Sequence, residues 1–328
     1  MQLLLAKSAF DRIAPRLKAA APDLDVVTIA APDAFERNGQ SLAADQVDPD
    51  LMWVSADGMR AGLLPTYFGA ALKGTKTKWA QLFVAGLDNP AFKQLMAKGI
   101  RLSKSSAQSV AIAEYVTGHA FSLIVPIDAQ RAAQSKKEWK PTQYREISQT
   151  RWTLVGFGAI GGEIAKRVKP FGAHLTVVRR QTDNRGLADA VVQQSDLTKV
   201  LPQSDVVVLA CALNDETRHL ANDAFFSAMK KDAILINIGR GGLVDSEALR
   251  RGLDRDQPGK AVLDVFDKEP LPADDWMWDH PKIRVSAHTS HFGMGTMGRG
   301  DDLFLENLRR YLAGETLLNE ATKAEVGL

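Results

Sequence analysis

The stretch WTLVGFGAIG, from Trp152 to Gly161, decides the fold of this 328-residue chain. Its apolar start predicts a strand that runs directly into a G-x-G-x-x-G turn, and a helical pattern follows. In such a unit Gly156 permits the tight turn, Gly158 lets the backbone approach a pyrophosphate, and the third glycine lets the helix pack against the strand. The amides at the start of the helix, at Ala159 and Ile160, face the anion. The stretch therefore predicts a dinucleotide-binding Rossmann domain.

Apolar segments that predict strands recur on both sides of this stretch. They are apolar at consecutive positions, as in parallel strands that are buried on both faces. Helical patterns lie between most of them, which predicts an α/β fold of two domains with doubly wound parallel sheets. Longer apolar repeats at Ser109–Ile127 and Asp301–Leu312 predict helices. The predicted strands are 26–29, 51–54, 79–84, 152–155, 175–178, 206–211, 234–238, 261–265 and 283–285.

The composition argues against several classes of protein. Hydrophobic residues make up 45% of the chain and charged residues 24%, with a net charge of +2, as in an ordinary globular protein. Acidic and basic residues are interspersed, which excludes the one-sided basic surface that nucleic-acid binding needs. The apolar stretches are far shorter than the roughly 20 residues that cross a bilayer, and the N-terminus lacks a signal-peptide pattern. The single cysteine, Cys211, allows neither an internal disulfide nor a paired-thiolate zinc site. We expect a cytoplasmic protein without a metal, membrane or nucleic-acid partner.

The residues after the second strand of the Rossmann domain indicate the cofactor. A free ribose 2′-hydroxyl is normally held by an acidic residue about 20 positions beyond the glycine turn. Arg179 and Arg180 stand at that distance instead. Because two cations suit a 2′-phosphate, we predict that NADP is preferred over NAD.

Arg240, Glu269 and His288 each follow the end of a predicted strand. Ligands of open α/β sheets bind at the carboxyl ends of strands, so we expect the three side chains to share one site. Reduction of a ketone places negative charge on its oxygen, and His288 would supply the proton. Glu269 would orient the imidazole and raise its pKa, and Arg240 would hold a carboxylate and polarise the carbonyl. This chemistry indicates hydride transfer at the α-carbon of a small 2-oxo or 2-hydroxy acid.

Taken in order, these motifs resemble the D-isomer-specific 2-hydroxyacid dehydrogenase family. The glycine turn is followed by ETRHL at 216–220, NIGRG at 237–241, DVF at 264–266 and finally His288. The resemblance covers about residues 75–312 and is strongest from 151 to 290. It implies catalytic roles for Arg240, Glu269 and His288. In this pairing His288 is the acid and Glu269 is the carboxylate that orients it. It further implies cofactor contacts by Cys211, Leu213, Thr217, Ile238 and Asp264, and substrate contacts by Ala85, Gly86, Arg240 and His288.

The resemblance also implies how the chain is organised. Residues 1–104 together with 290–328 would form a smaller substrate-binding domain. Residues 105–289 would form the Rossmann domain, inserted into it. A homodimer is implied as well, joined through the Rossmann domains and the helix that precedes them.

Three functions remain open at this point. The first is an NADP(H)-dependent reductase of glyoxylate or hydroxypyruvate. The second is NAD-linked oxidation of a D-2-hydroxy acid such as phosphoglycerate, which needs an acidic ribose partner that the sequence lacks. The third is a cofactor-sensing binding protein on the same fold. The chain departs from the family pattern at Ala212 and Ala287, which replace prolines, and at Thr289–Phe292 beside the histidine.

Overall fold

The computed structural model describes residues 1–179 and 186–328, so the predicted cofactor residue Arg180 lies outside the described residues. The chain divides into two compact units. Unit 1 comprises Met1–Gln108 and Met294–Leu328, and unit 2 comprises Ser109–Gly293. The boundaries expected from the sequence lie four residues before these at each junction.

Strands alternate with helices along most of the chain. The strands are β1 (Gln2–Ala6), β2 (Asp25–Ala31), β3 (Ala34–Arg37), β4 (Gln40–Leu42), β5 (Leu51–Val54), β6 (Trp79–Leu82), β7 (Arg101–Ser103), β8 (Arg151–Val155), β9 (His174–Val178), β10 (Ala190–Val192), β11 (Val206–Leu209), β12 (Ile234–Asn237), β13 (Lys260–Leu263) and β14 (Ile283–Val285). The α-helices are α1 (Lys7–Ala20), α2 (Ala56–Arg60), α3 (Leu64–Lys73), α4 (Pro90–Ala97), α5 (Ser109–Ile124), α6 (Ile127–Ser135), α7 (Ala159–Val168), α8 (Leu197–Val200), α9 (Asp223–Ala228), α10 (Ser246–Asp254) and α11 (Thr296–Leu312).

The sheet of unit 1 has the order β4-β3-β2-β1-β5-β6-β7. Its five strands from β2 to β7 are parallel, and the hairpin β3–β4 extends one edge in antiparallel pairing. The last helix, α11, closes the core because its apolar stripe faces inward. There Phe304 stacks on Trp53 with ring centroids 4.3 Å apart, and both rings are buried.

The sheet of unit 2 is parallel throughout, in the order β10-β9-β8-β11-β12-β13-β14. Helices α5 and α7 cover one face, where Ile112 and Ile164 pack on the strands. Helices α8, α9 and α10 cover the other, where Phe226 and Leu249 are fully buried. The strand order reverses between β8 and β11, and in such sheets ligands bind at the carboxyl ends beside the reversal.

The predicted α/β fold with two doubly wound sheets is confirmed, with local differences. Five short strands were not among the predicted ones: β1, the antiparallel hairpin β3–β4, β7 and β10. The predicted helix Ser109–Ile127 ends at Ile124, and α6 begins after Pro126, since proline cannot continue a hydrogen-bonded helix. Within the described residues no single helix is long and apolar enough to cross a bilayer; by length and composition alone the pair α5 and α6, bent by 57°, passes that test.

Candidate active site

The glycine turn after β8 has the geometry that its sequence predicts. Gly156 has φ +98°, and a Cβ there would lie 2.6 Å from the Cys211 amide nitrogen and 2.7 Å from the Ala210 carbonyl. A Cβ on Gly161 would lie 2.8 Å from the Gly156 oxygen. Any side chain at these two positions would push the turn away from β11 or from α7, so glycine is required.

Gly158 differs from its two neighbours, because a Cβ there would meet nothing within 4 Å. It is the N-cap of α7, whose first turn contains no acidic residue. The open space thus lies beside backbone amides and the positive end of the helix dipole, with exposed Ala159 and half-buried Ile160 in that first turn. The turn fits the pyrophosphate of a dinucleotide.

Arg179 directly follows β9, and its guanidinium carbon lies 6.0 Å from the centre of the Phe157 ring. This places a cation at the end of β9, the second strand of unit 2, beside the glycine turn.

The other predicted cofactor residues lie after β11, β12 and β13. Cys211 is half-buried, and burial raises the pKa of its thiol to about 11. Thr217 is buried, and its hydroxyl donates to the Ala212 carbonyl at 2.8 Å, so this side chain shapes the loop after β11. Ile238 is buried just after β12, and Leu213 is half-buried. Asp264, the last of the set, is fully buried.

The structure brings Glu269 and His288 together. Glu269 Oε2 lies 2.8 Å from His288 Nδ1, and Oε1 accepts the Phe266 backbone N–H at 2.9 Å. The Glu269 side chain is 36% exposed and that of His288 43%, so the pair is held at a surface that a substrate can reach. The carboxylate is fixed by its own loop and in turn orients the ring.

Arg240 lies in a turn that contacts the Glu269 loop. Asn237 holds this turn, since its side chain accepts the Gly239 N–H at 3.1 Å and donates to the Arg240 carbonyl at 2.9 Å. The next residue, Gly241, sits directly against the Phe266–Asp267 peptide, where a Cβ would overlap the backbone. Because Glu269 binds the Phe266 amide, the turns of all three predicted catalytic residues are in contact. A cavity of about 270 Å³ lies between the loops that follow β12 and β13, where Asn237, Gly241 and Phe266 are among its lining residues.

The turn of His288 is held by Asp264. His288 has φ +51°, the left-handed region that non-glycine residues seldom adopt. The Asp264 carboxylate accepts the Thr289 N–H at 2.8 Å, the Ser290 N–H at 3.1 Å and the Ser286 hydroxyl at 2.6 Å. The predicted contact of Asp264 with the nicotinamide stays a prediction; the contacts in the structure are with this turn.

Two residues near the histidine were missed from the sequence. His291 was not among the predicted site residues, and its ring lies 5.5 Å from that of His288 in an edge-to-face arrangement. Tyr115 on α5 hydrogen bonds to Ser286, although 171 positions separate them. The departure from the family pattern at 289–292 was a signal for His291, whereas Tyr115 gave none.

The substrate loop lies in unit 1, after β6. Ala85 is exposed and Gly86 half-buried in a segment without regular structure that leads to α4. Their role in binding a carboxylate stays a prediction.

A larger cavity, about 430 Å³, lies at the opposite, amino end of the unit 2 strands. There Asp205 pairs with Arg145 and Lys230, so its cations are partly neutralised. Across residues 1–179 and 186–328, no cluster of three or more His, Cys, Asp or Glu side chains is placed to hold a metal ion.

Fold and site together define a dinucleotide-dependent dehydrogenase with an imidazole–carboxylate pair. A model of the NAD-binding domain of D-isomer specific 2-hydroxyacid dehydrogenases matches residues 117–290. The chain belongs to this family, as its motifs predicted, and the prediction of an NAD(P)-dependent 2-hydroxyacid dehydrogenase is confirmed.

Individual relatives are consistent with this family membership. A glyoxylate reductase of Korarchaeum cryptofilum is 30% identical over 71% of this chain and 72% of its own length. A D-3-phosphoglycerate dehydrogenase of Bacillus subtilis is 30% identical over 62% of this chain but only 39% of its own. Among solved structures, a D-isomer specific 2-hydroxyacid dehydrogenase family protein from Aeromonas salmonicida is 26% identical with a TM-score of 0.77, over 98% of this chain and 99% of that one.

Proposed function

We propose that this enzyme reduces a small 2-oxo acid, of the glyoxylate or hydroxypyruvate kind, with NADPH as the hydride donor. The observation that carries the proposal is the 2.8 Å hydrogen bond between His288 and Glu269, beside the turn of Arg240. NADPH, when bound, would supply a hydride for the carbonyl carbon, and the carbonyl oxygen would then need one proton from the protein. The similarity to the glyoxylate reductase of Korarchaeum cryptofilum supports this substrate class.

His288 is the proton donor. The Glu269 carboxylate is an acceptor only, so it keeps the proton on Nδ1 of the imidazole. The proton that transfers is therefore the one on Nε2, and the ring becomes neutral as the product hydroxyl forms. In the reverse direction the neutral Nε2 takes the hydroxyl proton. The Phe266 amide holds Glu269 in place throughout.

Arg240 binds the substrate carboxylate and polarises the carbonyl. Its guanidinium is permanently charged, and its planar fork matches a carboxylate better than lysine would. Asn237 holds the backbone of the turn that carries it, and the guanidinium itself donates to the Gly239 carbonyl at 2.8 Å. Positive charge held in place before the reaction stabilises the negative charge that develops on the oxygen.

The preference for NADPH is supported by Arg179, which stands where an acidic residue would bind a free ribose 2′-hydroxyl. Its guanidinium lies beside the Phe157 ring next to the glycine turn. A charged hydrogen bond to a phosphate contributes about 1.5–3 kcal/mol, which is about 10- to 100-fold in kcat/KM.

Steady-state assays of both cofactors with a panel of 2-oxo acids test this proposal. We expect turnover of glyoxylate or hydroxypyruvate and a higher kcat/KM with NADPH than with NADH. Arg179→Ala should lower kcat/KM for NADPH about 10- to 100-fold and leave that for NADH unchanged. Arg151→Ala, an exposed arginine at the amino end of β8, is the matched control. A higher kcat/KM with NADH than with NADPH would contradict the proposed cofactor preference.

An NAD-linked phosphoglycerate dehydrogenase is the second candidate, favoured by the Bacillus subtilis relative. Oxidation of phosphoglycerate with NAD in the same assays would establish it. Turnover of no acid with either cofactor would instead favour a cofactor-sensing protein.

The homodimer and the cytoplasmic location stay predictions.

A further inference from the structure

The turn 286–290, which carries the catalytic imidazole, has a backbone conformation that depends on contacts with neighbouring residues. His288 at its centre has φ +51°. A left-handed residue other than glycine persists only where the surrounding structure determines it. The residues that impose the left-handed conformation of His288 therefore also determine the orientation of its imidazole.

The first part of the constraint is Asp264 at the end of β13. This carboxylate is fully buried and receives hydrogen bonds from both sides of the turn. The Thr289 and Ser290 amides donate to it from one side at 2.8 and 3.1 Å, and the Ser286 hydroxyl donates from the other at 2.6 Å. His288 is thus enclosed between residues that bind one buried group.

The second part is Tyr115. Its hydroxyl lies 2.6 Å from the Ser286 oxygen. A serine hydroxyl has a single proton, and here that proton is donated to Asp264, so Tyr115 must be the donor to Ser286. Burial raises the pKa of Tyr115 to about 12, which keeps the phenol protonated and able to donate. The direction of the chain is therefore fixed from Tyr115 through Ser286 to Asp264.

Tyr115 is a firm anchor because it belongs to a different element. Helix α5 packs on the sheet and on α7 through buried residues that flank the tyrosine, including Ile112 and Val116. The chain of hydrogen bonds thus connects the turn to a helix that is fixed by its own core contacts.

We propose that Tyr115 is a positioning residue of the catalytic histidine, acting through Ser286 and Asp264 on the turn 286–290. With the chain intact, the imidazole is directed at Glu269 and its Nε2 at the substrate. Without the phenol hydroxyl, the Ser286 hydroxyl can rotate away from Asp264, and one side of the turn is released. This inference rests on the proposed role of His288 as proton donor.

A double-mutant cycle in kcat tests it. Tyr115→Phe removes one neutral hydrogen bond and should lower kcat about 2- to 10-fold while the KM for the cofactor stays within about twofold. The solvent isotope effect on kcat should rise, because proton transfer becomes slower relative to other steps. Ser286→Ala should lower kcat at least as much, and Ser286→Thr, which keeps the hydroxyl, should restore it. Tyr115→Phe added to Ser286→Ala should cost nothing more, because the chain is already broken.

Tyr144→Phe is the matched control, since it deletes the same hydroxyl from an exposed side chain. Wild-type kcat in Tyr115→Phe, or losses that simply add in the double variant, would overturn the proposal. So would equal losses in kcat and cofactor affinity, which indicate general damage to the fold.

A readout without turnover separates this inference from the proposed function. The imidazole C2 proton resonance of His288, assigned by its loss in His288→Ala, should shift in Tyr115→Phe and not in Tyr144→Phe. If the enzyme reduces no 2-oxo acid, the proposed function fails while this shift still supports the positioning role. An unchanged resonance would refute the role of Tyr115 even in an active enzyme.

Discussion

Each unit of the molecule contains a buried network of polar side chains, and the two serve different ends. In unit 1 the network centres on Asn307 of α11, which is fully buried. It donates to Gln81 Oε1 at 2.7 Å and to the Leu318 carbonyl at 3.0 Å, and it accepts the Leu318 N–H at 2.7 Å. It ties the sheet of unit 1 to the C-terminal segment, and unit 1 contains none of the three predicted catalytic residues.

In unit 2 a comparable network of buried polar side chains holds the turns of two of the predicted catalytic residues. Asn237 fixes the turn of Arg240, and Asp264 fixes the turn of His288. Both are buried at the carboxyl end of a strand, where polar groups can reach the crevice of the sheet. Buried polar side chains therefore stabilise the fold in unit 1, and in unit 2 they also hold the turns of the residues that the proposed function requires.

The largest expected effect is that of removing the imidazole itself. His288→Ala should lower kcat about 10²- to 10⁴-fold, because a positioned proton donor is lost, with little change in the KM for the cofactor. Steady-state kinetics with saturating cofactor measure this. His280→Ala is the control, since the ring of this half-buried histidine accepts the Lys282 amide and packs edge-to-face on Trp276. A variant that retains more than about half of wild-type kcat would show that the unit 2 network orients something other than the proton donor.

The two asparagines allow the comparison itself to be tested. Asn307→Ala and Asn237→Ala each leave buried donors and acceptors without partners, so each should lower the free energy of unfolding by about 1–3 kcal/mol. Only Asn237→Ala should also lower kcat, by about 10- to 100-fold, because the Arg240 side chain loses its fixed direction. Urea unfolding and kinetics on folded samples measure the two effects. Equal kcat losses in both variants would mean that the networks do not differ in function.

The sequence predicted most of the Rossmann unit because each required feature is local. Gly156 and Gly161 are demanded by close backbone contacts within one strand–turn–helix unit. The apolar strands of the sheet are recognisable for the same reason, since burial on both faces removes polar residues from consecutive positions. Glu269 and His288 stood out because each follows a strand end, and the structure joins them as expected.

What the sequence could not predict depends on contacts between distant positions. The short strands β3 and β4 have mixed polarity and are defined by pairing at a sheet edge. Tyr115 is one of several apolar or aromatic residues on α5, and only the tertiary fold brings it to Ser286. The predicted cofactor contact of Thr217 stays a prediction; in the structure its hydroxyl donates to the Ala212 carbonyl of its own loop.

The smallest expected effect concerns Cys211, which lies at the reversal of strand order beside Gly156. Burial disfavours the thiolate and raises the pKa to about 11, so alkylation at pH 8 should be about two orders of magnitude slower than for an exposed thiol of pKa about 8.5. The rate should rise about tenfold per pH unit from pH 8 to 10, as the thiolate fraction increases. Iodoacetamide labelling followed by mass spectrometry measures it, with the urea-unfolded chain as control.

Because Cys211 is the only cysteine in the sequence, its labelling reports on unit 2 alone. Asn237→Ala should therefore speed labelling under native conditions by loosening the neighbouring strand end, and Asn307→Ala should speed it less, since local opening follows local contacts. If Asn307→Ala exposes Cys211 as readily as Asn237→Ala, the two networks open as one cooperative system. The two networks would then differ in their effect on catalysis but not in their effect on stability.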